Sequence, residues 1–182
     1  MIQSDKRDVQ TLVWEEMKIP RMLNVTIVSL SLISILVGQY FVSITNLFHF
    51  IKQKPALLLA FLIIILVYIA LHELIHGMCM NYYSGIRATY GISGPFIYAK
   101  SEAIFNRKAY LIITLAPMFV LGVSALVLSF FIPGIGLWFG IFVWVLNLYA
   151  SRGDLQAVMI VKELPGTCGI QDDGHSLHLY HK

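Results

Sequence analysis

Residues 23–48 contain no Asp, Glu, Lys or Arg. A helix of that length outspans the hydrocarbon core of a bilayer, roughly 30 Å thick and crossed by about 20 apolar residues. Residues 110–132 form a second uncharged run, and residues 56–80 are apolar apart from one acid, Glu73. A fourth run follows the turn Pro133-Gly134-Ile135-Gly136 and stays apolar to Ala150, where Ser151-Arg152-Gly153-Asp154 interrupts it. The expected fold is therefore an all-α membrane protein with four transmembrane helices, at about 23–48, 56–80, 110–132 and 135–154, the last interrupted or ending near Gly153. With 58% hydrophobic and 13% charged residues, against about 25% charged in soluble domains, a disordered chain and a basic nucleic-acid binder are both excluded. Two cysteines in 182 residues rule out a disulfide scaffold.

The first apolar run is too long for the h-region of a cleavable signal and lacks an A-x-A exit, so it reads as an anchor. Orientation follows the basic residues. With the N-terminus inside, Lys6, Arg7, Lys18, Arg21, Arg87, Lys100, Arg107, Lys108, Arg152, Lys162 and Lys182 all fall on the inner side, leaving only Lys52 and Lys54 outside. Both termini are thus expected in the cytosol. The chain divides into a cytosolic N-terminal segment (1–22), a four-span domain (23–161) and a polar cytosolic tail (162–182). Between the second and third spans, Gly85, Gly91 and Gly94-Pro95 punctuate β-friendly runs such as Ala88-Thr89-Tyr90 and Phe96-Ile97-Tyr98. A small hairpin or re-entrant loop against the membrane is expected there.

The second span carries His72-Glu73-Leu74-Ile75-His76, an H-E-x-x-H run. Helix positions four apart differ by about 40° in azimuth and about 6 Å in height, so both imidazoles reach one metal ion. Glu73 lies close enough to handle a water on that metal. An acid inside a span costs about 2.5–3.5 kcal/mol at its centre and less near an end. A divalent cation, Zn²⁺ by ligand type, compensates for it. The alternative is that the histidines are interfacial and Glu73 pairs with a lysine of the following loop.

A catalytic zinc takes a third protein ligand and keeps one position open. His49 lies on the outer side, Glu102 in the loop, and His175, His178 and His181 in a tail expected to be loose. Asp154 ends the fourth span at the depth of the His pair, and Gly153 before it permits a local distortion. A surface pair of Asp154 with Arg152 is the rival reading. Asn147, two turns earlier if the helix continues, suits a substrate or oxyanion contact and equally an interhelical hydrogen bond. Cys79 is a ligand by type but reads better as a small packed residue. Cys168, in a reducing compartment, is expected free.

His72-Glu73-Leu74-Ile75-His76, a β-prone loop, Ala116-Pro117, then Asn147 and Asp154 together resemble the site-2 protease clan of intramembrane zinc metalloproteases, over roughly residues 56–160. Within that clan the chain is most similar to the compact zincin-peptidase membrane families of bacteria and archaea. The resemblance implies that His72, His76 and Asp154 ligate zinc, that Glu73 activates water, and that the hairpin around Gly91 to Tyr98 offers a strand edge to an unwound substrate. It differs from the larger families in having Gly153-Asp154-Leu155 in place of Leu-Asp-Gly, and Asn147-Leu148-Tyr149-Ala150 in place of Asn-x-x-Pro.

The expected activity is hydrolysis of peptide bonds in transmembrane or membrane-associated protein substrates, with catalytic Glu73 and Asn147 and a cofactor Zn²⁺. The expected location is a prokaryotic cytoplasmic membrane; the bilayer is a partner and nucleic acid is not. Two other readings stay open: a non-catalytic zinc-binding membrane protein, and a zinc hydrolase acting on lipid or lipidated substrates.

Overall fold

The computed structural model describes residues 9–13, 18–93, 96–132 and 134–180, and they fall into two compact units. One comprises Pro20–Ala70 and Met118–Arg152; the other comprises the residues up to Ile19, Leu71–Pro117 and those from Gly153 onward.

The first unit is helical. Helix α1 (Arg21–Phe41) buries Ile27, Ser31 and Gly38, while Val25, Leu32, Ile33 and Leu36 are exposed. A packed stripe of small residues on an otherwise bare apolar helix suits lipid, where close approach rather than water drives association. At Gly38 a side-chain carbon would strike Ile141 and Trp138 of α6 (Gly136–Ala150). Two indoles tie the same helices, Trp138 Nε1 donating to the Val42 carbonyl and Trp144 Nε1 to Ser34 Oγ, both at 3.0 Å.

The stretch 23–48, expected as one span, is two helices. α1 stops at Phe41 and Val42 is extended. Ser43 Oγ accepts the Thr45 N–H and Gln39 Oε1 accepts the Ile44 N–H, starting α2 (Ile44–Gln53). A serine at the N-cap satisfies an otherwise orphaned donor, a local event that an apolar run conceals.

The expected count of four transmembrane helices is not confirmed. Among the described residues three helices are long and apolar enough to cross a membrane: α1, α3 (Ala56–Ser84) and the continuous helix Arg107–Ser129. The last is built from α4 (Arg107–Pro117), a π-helical stretch (Met118–Val123) and α5 (Ser124–Ser129). The 15 residues of α6 rise only about 22 Å, less than the bilayer core. α6 ends at Ala150, Ser151 makes a turn, and α7 runs Arg152–Val161. The uninterrupted helix that would join Asn147 to Asp154 is therefore absent.

The second unit adds strands to the mostly helical fold. It holds the hairpin of β2 (Thr89–Ser93) and β3 (Phe96–Lys100), paired Thr89↔Lys100 through Ser93↔Phe96, as the loop pattern led us to expect; Gly94 and Pro95 lie outside the described residues. A four-stranded antiparallel sheet also forms, in the order β1 (Val9–Val13), β6 (Ser176–Tyr180), β5 (Gly169–Asp172), β4 (Phe105–Asn106). The tail read as a loose extension thus folds, and it pairs with the N-terminal segment. Alternation in Ser176-Leu177-His178-Leu179-Tyr180 buries Leu177 and Leu179, as period-two patterning requires. Gly174, at φ +83°, permits the turn, and Asp173 Oδ1 accepts the N–H groups of His175 and Ser176. Burial raises the Asp173 carboxyl, but its bond to His178 and these two N–H bonds outweigh that and hold it below the ordinary range. Leu177 and Leu179 join Tyr110, Ile113, Val161 and Ile170 in one core, against which the end of α3 is set.

Candidate metal centre

Helix α3 has no Gly or Pro between Ala56 and His76, so its spacing carries the two histidines onto one face. Both are buried, with His72 at 5% and His76 at 8% exposure. Their Nε2 atoms stand 3.2 Å apart. Asp154, in the first turn of α7, places Oδ2 3.0 Å from His72 Nε2 and Oδ1 3.3 Å from His76 Nε2. Arg152, the partner considered for it, donates instead to Asn24 Oδ1.

These three residues fit a zinc ion. Bonds of about 2.0–2.1 Å in a tetrahedron put neighbouring ligand atoms about 3.3 Å apart, close to the triangle observed. The proton inventory points the same way. His76 Nδ1 lies 3.0 Å from the Ile113 carbonyl oxygen, which can only accept, so Nδ1 carries the proton and Nε2 of the neutral ring presents a lone pair. With the ring neutral, that lone pair faces a carboxylate and a second imidazole at these distances, an arrangement that a cation among them makes favourable.

Glu73 stands beside this triangle. His72, Glu73 and His76 each offer a ligand atom within 4.8 Å of the others. Glu73 Oε2 accepts the Ala99 N–H of β3 at 2.8 Å. The hairpin approaches because Gly77, one turn after Glu73, has no side chain; a Cβ there would run into the ring of Tyr90, the cross-strand partner of Ala99. Burial and the Glu73 charge both push the Tyr90 phenol upward, consistent with this proximity.

The remaining candidates stand elsewhere. Asn147 belongs to the other unit and is fully buried. Its Oδ1 accepts from Tyr68 Oη at 2.6 Å and Ser151 Oγ at 3.3 Å, and its Nδ2 donates to the Met118 carbonyl at 2.9 Å. The Tyr68 and Met118 bonds run from helix to helix, seated where Gly122 leaves no Cβ in the way. His178 bonds Asp173 and Thr11 on the sheet, and His49 bonds Gln53. His181 lies outside the described residues. Cys79 packs against the core cluster, and both Cys79 and Cys168 are free thiols.

A comparison with protein families matches residues 63–168, more than half of the chain, to the family described as "putative zincin peptidase". The chain belongs to that family. No curated protein and no solved structure matches it significantly. For a zincin peptidase the His-Glu-His group on α3 is the expected zinc-binding element. Three further groups at this zincin's centre are not apparent in the residue types: the Ile113 carbonyl, the Ala99 N–H, and the bare face of Gly77. The first two are backbone atoms that every residue except proline carries alike. The Tyr90 and Gly77 pairing had a faint signal, a glycine within a helix beside an H-E-x-x-H run.

Proposed function

We propose that this zincin peptidase is an intramembrane metalloprotease of the site-2 protease kind, with His72, His76 and Asp154 holding zinc and Glu73 acting as general base. The observation that carries the proposal is the triangle of Nε2, Nε2 and carboxylate oxygens, 3.0–3.3 Å on its edges. It lies beside a carboxylate, and both histidines belong to a helix long and apolar enough to span a membrane. Bound zinc supplies Lewis acidity toward water and the scissile carbonyl, with one coordination position left open by three protein ligands.

The chain's own groups do the rest. Glu73 takes a proton from water and returns it to the departing amine. The Ala99 N–H holds Oε2, so Oε1 keeps a fixed direction for that transfer. The free edge of β3 up to Tyr98 receives an unwound substrate segment by strand addition, which suits a transmembrane or membrane-associated protein. The basic residues favour cytosolic termini in a prokaryotic cytoplasmic membrane, with the bilayer as the other partner and nucleic acid as none. Asn147 holds helices of the other unit together.

Glu73→Gln tests the proposal, with the purified full chain in detergent and self-quenched fluorescein-labelled casein as the probe. We expect bound zinc to stay at the wild-type level while cleavage falls to background. Cleavage at the wild-type rate by the zinc-loaded variant would remove Glu73 from the reaction.

A further inference from the structure

We infer that Pro117 is a positioning residue for the metal centre: by lacking an N–H, it leaves the Ile113 carbonyl oxygen to His76 and so sets the tautomer and aim of that ligand. The inference rests on the reading of His76 as a zinc ligand. In an α-helix the carbonyl of residue i accepts the N–H of residue i+4. For Ile113 that donor would be residue 117, and proline has no N–H to give. The oxygen so released is the one 3.0 Å from His76 Nδ1, across a sequence separation of 37 residues.

The surroundings support a role beyond bending. Ile113 and Pro117 are essentially fully buried, and His76 is 8% exposed, so water does not compete for that oxygen. Pro117 lies inside the continuous helix Arg107–Ser129 rather than at its first turn. An interior proline is ordinarily costly there, and a compensating interaction accounts for its presence. Ligating imidazoles typically donate their second N–H to a carbonyl or carboxylate that orients the ring and raises its basicity. Here the donor is Nδ1, leaving Nε2 for the metal, beside His72 Nε2 and Asp154. Moving the missing N–H by one residue, to position 116, would free the Ile112 carbonyl instead. Ile112 is 41% exposed, and the carbonyl that His76 Nδ1 meets is that of Ile113.

The test reads zinc affinity, with the metal alone as probe in competition with a chromophoric chelator, on the full chain in detergent. Pro117→Ala restores the helical N–H, which then competes for Ile113. We expect its zinc dissociation constant to rise by about 10- to 100-fold, while the metal-free protein melts at the wild-type temperature or above. A merely structural proline would not give that opposed pair of changes. The exchange Ala116→Pro with Pro117→Ala keeps one helix proline and is expected to lose affinity equally. Affinity within twofold of wild type in either folded variant would overturn the inference. Nitrogen NMR of the zinc-loaded wild type, with labelled histidine, decides the matter even where both variants fail to fold. A protonated Nδ1 on His76 supports the inference, and an unprotonated Nδ1 overturns it. A wild type that binds no zinc would overturn the metal reading itself, and the inference with it.

Discussion

A carboxylate lying 3.0 and 3.3 Å from two imidazole nitrogens calls for positive charge beside it, which a divalent cation supplies while His76 Nδ1 faces the Ile113 carbonyl. Asp154 is the residue on which that charge balance turns. Removing its carboxylate takes away the anionic side of the triangle and leaves two neutral nitrogens, which hold a divalent cation less well. Asp154→Ala should therefore weaken zinc binding by more than about 100-fold, the upper end of what second-shell changes cost. Metal analysis after dialysis checks this. Full zinc occupancy would assign the third position to another group, with Glu73 the nearest candidate.

At the scale of elements, the centre depends on how a helix and a hairpin meet. Gly77 lets Tyr90 lie against α3, Tyr90 faces Ala99 across the hairpin, and the Ala99 N–H reaches Glu73. That N–H points away from the ladder, so proline at this position leaves the β2–β3 pairing in place, as edge positions allow. Ala99→Pro is expected to keep its zinc and to lower kcat between about 10- and 100-fold, the range that misplacing a catalytic group brings, with KM nearly unchanged. Steady-state kinetics with labelled casein would show it. A fall in zinc content instead would mean that the hairpin supports the ligands rather than the base.

The unit that carries the candidate metal centre is gathered from three separated stretches of chain. The sheet of that unit is closed by both ends of the described chain, β1 pairing with β6 from Val9↔Tyr180 to Val13↔Ser176. Leu177, at 0% exposure, is central to the core the sheet covers. Leu177→Ala should cost about 2–5 kcal/mol, as buried leucine truncations do, visible as a lower thermal midpoint in detergent. A midpoint shift too small to measure would mean that the C-terminal hairpin contributes little to this unit.

The sequence alone determined the features that helix geometry and solvent impose locally. Apolar length dictates helices that suit a bilayer whatever surrounds them. The four-residue step from His72 to His76 puts two imidazoles on one face of any helix that carries it. The hairpin was legible as well, since its β-friendly runs are bounded by glycines. The strands of the tail had a readable alternation, but it was masked by polar neighbours and three glycines. The break at Ser43 and the short α6 lay hidden in uncharged runs, because hydropathy does not register caps. Tertiary structure alone decided the environment of the centre. His76 meets Ile113 and Glu73 meets Ala99 over separations of 37 and 26 residues, through backbone atoms common to nearly every residue. Such partners leave no mark in residue type, so only the folded chain selects them.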